Sequence, residues 1–149
     1  MEFSVQLHKS SRFIIVLGVL GALILALPKD ATSQTTAAPA FTSRAIQISP
    51  ISGDDSKQMV LMAVSIQPGA SVPVHTHPGD CIGSVVEGTV ELLVAGRDPR
   101  RLGPGDSYAN LRGTVHWFRN VGDQPARLLN TLVVDKGAPA VQPASVPQR

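Results

Sequence analysis

Glycine and proline interrupt this chain at short intervals, and that spacing limits what it can fold into. The 149 residues include 13 Gly and 12 Pro. Between these turn signals the apolar residues occur in runs of strand length, such as residues 59–66, and no segment keeps a helical period. Short strands at this spacing predict an all-β sandwich or barrel, which we place at residues 46–135. Segments 82–87 and 89–95 flank Gly88 and predict a hairpin.

The N-terminal 33 residues differ in character from the rest. Lys9 and Arg12 precede an uncharged apolar run at positions 13–27, which is shorter than the roughly 20 residues of a membrane-spanning helix. A basic start, a short apolar run and small residues before Gln34 predict a secretory signal peptide at 1–33, with an uncleaved anchor as the alternative. We therefore expect export to a periplasm or secretion. Residues 34–45 are predicted to be a linker or loosely held arm, and the Pro-rich segment 136–149 a disordered tail.

Composition narrows the classes of partner. The formal net charge is +2 and aromatic residues make up 4% of the chain, so neither a basic footprint nor a stacking platform for nucleic acid is expected. No membrane contact is expected of the mature domain. The single Cys excludes a disulfide within the chain. These features leave a small exported β-domain.

Three histidines and the cysteine carry the candidate chemistry. His75 and His77 are two positions apart, so on a strand their side chains point to the same face. His116, from a later strand, would complete the site across the barrel. Together with Cys81, they predict a shell for one divalent transition-metal ion. The alternatives are a pair of exposed strand histidines and a buried, unligated Cys81 beside a three-histidine site.

Glycines and histidines recur at two fixed spacings around these ligands: Gly69, His75, His77, Cys81 and Gly88 in the first block, and Gly105, Gly113, His116 and Asn120 in the second. The two blocks resemble the two motifs of the cupin superfamily, most closely those of the small single-domain, quercetin-dioxygenase-like cupins of type 2. The resemblance implies a jelly-roll β-barrel with a metal ion near its centre. The chain departs from the motifs at Cys81, where the family usually has Glu, and at Leu111, where it usually has Pro.

Both departures and matches have physical consequences. Exchanging a hard carboxylate ligand for a soft thiolate at Cys81 favours Fe, Zn, Cu or Ni over Mn. Asp106 and Asn120 are expected to hydrogen-bond turns rather than a substrate. Tyr108 is expected to be a partly buried structural residue, although its hydroxyl could also donate into the pocket.

Two functions remain open at this level. The first is a metal-dependent enzyme on a small organic substrate, with an oxygen-dependent dioxygenase as the leading hypothesis and lyase or isomerase chemistry as alternatives. No catalytic residue beyond the metal ligands stands out. The second is a non-catalytic protein that holds a metal ion or a small ligand, for which a closed shell of three His and one Cys would suit. Barrels of this kind often pair through edge strands, so we expect a homodimer.

Overall fold

The structure, a computed structural model, describes residues 39–147, and every regular element in that range is a β-strand. Within the described range, no helix is present that is long and apolar enough to cross a membrane. The predicted signal peptide at 1–33 and the first residues of the predicted linker lie outside this range. The ten strands are β1 Phe41–Ile51, β2 Asp54–Ile66, β3 His75–Thr76, β4 Asp80–Glu87, β5 Val90–Val94, β6 Arg100–Leu102, β7 Ser107–Asn110, β8 His116–Asn120, β9 Ala126–Asp135 and β10 Gln142–Pro143.

The strands form two five-stranded antiparallel sheets. One sheet has the order β1-β2-β9-β4-β7 and the other the order β10-β3-β8-β5-β6. Strands β4, β5, β7, β8 and β9 thus alternate between the sheets along the chain, as expected for a jelly roll. This architecture confirms the prediction of an all-β fold consistent with a cupin-type jelly-roll barrel.

Alternation along the strands decides which side chains face the interior. In β9 every second residue from Ala126 to Val134 is buried, and those between them are more exposed. Ile66 and Leu132 are fully buried, and each contributes about 1.5–3 kcal/mol through the area it removes from water. Asn130 breaks the pattern, because it is a polar residue at an inward position of β9. Polar side chains at such inward positions lie at the candidate site.

Three expectations differ from the structure. Strand β1 begins at Phe41, inside the segment predicted as a linker, because residues 41–45 continue the pairing of β1 with β2. Residues 136–147, predicted to be disordered, follow a defined path in which β10 pairs with β3. The prediction of a hairpin around Gly88 is wrong, because β4 pairs with β7 and β9, whereas β5 pairs with β6 and β8. Gly88, with a φ of 77°, carries the chain from one sheet to the other.

Candidate metal centre

The three predicted histidines meet inside the barrel. His75 lies in β3 and pairs directly with His116, the first residue of β8, while His77 follows β3 on the same face. The ring centroids of His75 and His116 are 4.2 Å apart, and each lies 5.0 Å from that of His77. One ligating atom from each ring lies within 4.8 Å of the other two. The arrangement therefore fits three ligands of one metal ion.

Backbone carbonyls fix the orientation of all three rings. Nδ1 of His75 donates to the carbonyl oxygen of Pro73 (2.8 Å), and Nδ1 of His116 donates to that of Thr114 (2.9 Å). Nδ1 of His77 donates to the carbonyl oxygen of Ala140 (2.7 Å). A carbonyl oxygen only accepts, so each Nδ1 carries the proton and each Nε2 keeps a free lone pair. This pattern is typical of imidazoles that bind a metal through Nε2.

Burial keeps these imidazoles neutral. His75, His77 and His116 are all less than a tenth exposed, and this desolvation lowers the pKa of each ring below its ordinary value of 6.5. The pKa of His116 falls to about 4. At neutral pH the three rings are therefore unprotonated, which is the form that a metal ion requires. The residues present fit a divalent transition metal.

A cavity of about 250 Å³ adjoins the histidines. His75 and His77 line it together with mostly apolar side chains, including Met62, Phe118 and Leu128. Among residues 39–147, no Asp, Glu, Lys or Arg side chain lines this cavity. Three neutral imidazoles would leave a divalent ion with its full charge. The cavity therefore presents largely apolar, uncharged walls beside the imidazoles.

Cys81 lines the same cavity but is not part of the histidine cluster. The group whose ligating atoms all lie within 4.8 Å of one another consists of the three histidines alone. Cys81 is 1% exposed and packs with apolar neighbours such as Val60 and Leu132. Without a metal ion, desolvation raises the pKa of its thiol to about 12. Its assignment as a fourth ligand remains a prediction.

A buried hydrogen bond crosses the inner face of the first sheet beside the cavity. The hydroxyl of Tyr108 donates to Oδ1 of Asn130 at 2.5 Å, directly above Gly83, which pairs with both residues in the sheet. A Cβ on Gly83 would meet the Asn130 amide and would lie 2.6 Å from the Tyr108 hydroxyl. Position 83 therefore requires glycine for this hydrogen bond to form. Tyr108 has the predicted structural role, although it also lines the cavity.

The structure also shows what the side chains of Asp106 and Asn120 contact. Oδ2 of Asp106 accepts a hydrogen bond from the backbone of Gly103, and the Asn120 side chain bonds three backbone groups. Both predicted turn roles are confirmed. Sequence reasoning missed Asn110 and the carbonyl of Ala140. A signal for Asn110 was present, because it lies two positions after Tyr108 and therefore faces inward with it.

Two curated proteins match part of the chain. It is 41% identical over 71 residues to Cupin-domain-containing oxidoreductase srdB of Neurospora crassa, a match that covers 47% of this chain and 36% of that protein. It is 36% identical over 70 residues to Dimethylsulfoniopropionate lyase DddQ of Ruegeria pomeroyi, covering 47% of this chain and 34% of that protein. The chain thus spans about a third of the length of the curated relatives it matches.

Solved structures and a family match agree with the barrel. The crystal structure of DMSP lyase DddQ from Ruegeria pomeroyi has a TM-score of 0.58 and 26% identity, over 74% of this chain and 54% of that chain. The polyketide cyclase RemF from Streptomyces resistomycificus has a TM-score of 0.54 and 24% identity, over 74% and 75% respectively, and this likeness concerns the fold alone. The Cupin domain family matches residues 62–134, a range that includes all three histidines. Residues 62–134 of the chain therefore match a Cupin domain, in agreement with the resemblance of its two sequence motifs.

Proposed function

We propose that this protein is a mononuclear metal enzyme, an oxygen-dependent dioxygenase that acts on a small organic substrate. One observation carries the proposal: three neutral imidazoles converge beside a largely apolar, uncharged cavity. Three protein ligands leave further coordination positions open, which is typical of catalytic rather than structural sites. A bound ion would supply Lewis acidity toward an anionic oxygen of the substrate and, as iron or copper, one-electron chemistry toward dioxygen.

The chain's own residues would bind and orient the substrate, and they would exclude water from it. Val64, Phe118 and Leu128 form apolar walls against which the body of a substrate would pack. The cavity is small, at about 250 Å³, and would accommodate a small organic molecule. A substrate of that size, with an anionic oxygen at the histidine end, is the class that fits.

Within the described part of the chain, the groups that line the cavity favour oxidation over carbon deprotonation. Lyase and isomerase reactions need a group that accepts a proton within hydrogen-bond reach of the substrate. Apart from the proposed ligands, the protic groups that line the cavity within residues 39–147 include the Tyr108 hydroxyl and the Cys81 thiol. In the metal-free protein, burial raises the pKa of both groups, so both hold their protons at neutral pH. Of the two curated relatives, one is an oxidoreductase and the other a lyase, so they do not decide between these reactions.

Metal content and oxygen uptake test the proposal. The full chain, purified without a His-tag or chelator, is expected to hold about one equivalent of iron, copper or nickel, and His75→Ala is expected to lose it. Met62→Leu, a volume-conserving change in the same cavity, is the matched control and should retain the metal. Oxygen uptake is then measured with a panel of small carboxylates and enols. Equal metal content in wild type and His75→Ala, or no metal after reconstitution, would contradict the proposed site.

The second candidate is a non-catalytic metal- or ligand-binding protein. It is favoured by the position of the Cys81 thiol in the cavity wall, from which it could close the shell. Tightly held zinc that is lost in Cys81→Ser would support this candidate. Cys81→Glu is expected to shift metal content toward Mn or Fe, and unchanged content would place Cys81 outside the shell.

We further propose that the protein is exported and forms a homodimer. Export is supported by the basic and apolar segment at 1–33, and the N-terminus of the protein recovered from fractionated cells should then be Gln34. Association is supported by exposed apolar side chains on the outer face of the first sheet, where Met59, Ile82, Leu129 and Val133 are each more than a third exposed.

A further inference from the structure

Within residues 39–147, the buried side chain of Asn110 has no hydrogen-bond partner. Asn110 ends β7, is 1% exposed, and lines the cavity beside the histidines. Neither Nδ2 nor Oδ1 of its amide makes a hydrogen bond within the described residues. Both atoms are sealed from bulk solvent, so leaving them unpaired costs the full desolvation of a polar group.

Other buried polar side chains in the same barrel are satisfied. Asn120, also 1% exposed, donates to the carbonyl oxygens of Ile66 and Gln124 and accepts from the backbone of Gly122. Oδ1 of Asn130 accepts from the Tyr108 hydroxyl. Buried polar groups without a partner are rare in folded proteins. The exception at Asn110 therefore points to a partner that is not part of the chain.

The position of Asn110 brings it close to the histidines. In the sheet, Asn110 of β7 pairs directly with Cys81 of β4, which is four residues after His77. The chain that follows β7 returns to the same place, because the backbone of Gly113 donates to the carbonyl oxygen of His77 (3.0 Å). A small molecule held at the histidines would therefore lie in the cavity that Asn110 helps to line.

We propose that Asn110 is a ligand-binding residue that hydrogen-bonds a second oxygen of the bound molecule. This inference rests on the proposed function and specifies its substrate class: a small monoanion whose anionic oxygen faces the histidines and whose hydroxyl or carbonyl oxygen, elsewhere on an apolar body, pairs with the amide. An amide that offers both a donor and an acceptor matches a hydroxyl group, which offers the same. A purely apolar acid of equal size would leave the amide unpaired and bind more weakly.

The first test uses the metal-free protein and is independent of the metal site. Asn110→Leu replaces an unpaired amide by an apolar group of similar size, so its Tm is expected to equal or exceed that of wild type. Asn120→Leu, the matched buried control, removes satisfied hydrogen bonds and is expected to lower the Tm by about 5 °C or more. Misfolding of Asn110→Leu, or a loss of Tm as large as in the control, would make Asn110 structural and overturn the proposal.

The second test measures ligand preference in the Ni²⁺-loaded full chain. Affinities of benzoate are compared with those of 3- and 4-hydroxybenzoate, and that of pentanoate with 4-oxopentanoate. Wild type is expected to bind at least one oxygenated probe about tenfold more tightly than its parent, and Asn110→Leu to lose that preference. Failure of Ni²⁺ to bind would refute the metal site but leave the stability test standing. Metal binding without a preference, or a preference that survives in Asn110→Leu, would overturn the role of Asn110.

Discussion

Acidifying the metal-free protein should destabilise it in a range of pH where most proteins change little. The cause is the burial of His75, His77 and His116, which lowers the pKa of each ring in the folded state. In the unfolded chain the same rings titrate near 6.5. Between these values the unfolded chain binds more protons than the folded one, so stability falls as pH falls.

The magnitude follows from His116. Its pKa is about 4 in the folded protein against 6.5 ordinarily, and this difference corresponds to about 3 kcal/mol. The contribution is complete above pH 6.5, declines below it, and is lost once the pH passes the folded value near 4. The other two histidines act in the same direction. A change of this size is a large share of the roughly 5–15 kcal/mol that stabilises a typical domain.

Urea unfolding in the presence of a chelator, at several pH values from 7.5 to 4.5, measures this loss. Carboxylates such as Asp135, whose pKa is held at about 2 by hydrogen bonds from Lys57 and Arg112, contribute only at lower pH. His116→Gln is the control, and its stability should depend less on pH across the same range. A free energy of unfolding that is constant between pH 7 and pH 5 in wild type would refute the reasoning.

Three other predictions concern the wall of the barrel. Gly83→Ala should cost about 1–3 kcal/mol in urea unfolding, because the new methyl group meets the Tyr108–Asn130 hydrogen bond; unchanged stability would mean that this contact relaxes freely. The Cys81 thiol, with its pKa raised to about 12, should react with iodoacetamide about a thousandfold more slowly in the folded, metal-free protein than in urea, and equal rates would contradict its burial. Ile82→Glu should convert a homodimer to a monomer in sedimentation, whereas a monomeric wild type would contradict the association surface.

Most of the fold could be predicted from the turn signals and the alternation of apolar residues in the sequence. The sequence pattern does not show which strands pair. Segments 82–87 and 89–95 look like a hairpin because Gly88 lies between them, yet they belong to different sheets. Local turn chemistry does not specify whether a chain folds back or crosses to the opposite layer; packing of inward residues such as Val85 and Val90 decides this.

The candidate site could also be predicted in part from the sequence. The spacing of His75 and His77 and the motif around His116 were enough to predict three ligands that meet. The carbonyl of Ala140 was not predictable, because a backbone group carries no sequence signal and its segment looked unstructured. Asn110 was visible as a polar residue at an inward position, but only the lack of any partner distinguishes it from Asn120.

The part of the chain that forms the candidate site extends beyond the Cupin domain match, because it includes the C-terminal segment. The Cupin domain match ends at residue 134, yet Ala140 beyond it orients His77, and Val141 and Pro143 line the cavity. Cutting the chain after Asp135 would leave strands β1–β9 in place while freeing one imidazole to rotate and opening one side of the chamber to water. In such a truncated protein, folding and metal affinity would separate, so a domain boundary drawn from the family alone would yield a stable barrel with a weakened centre.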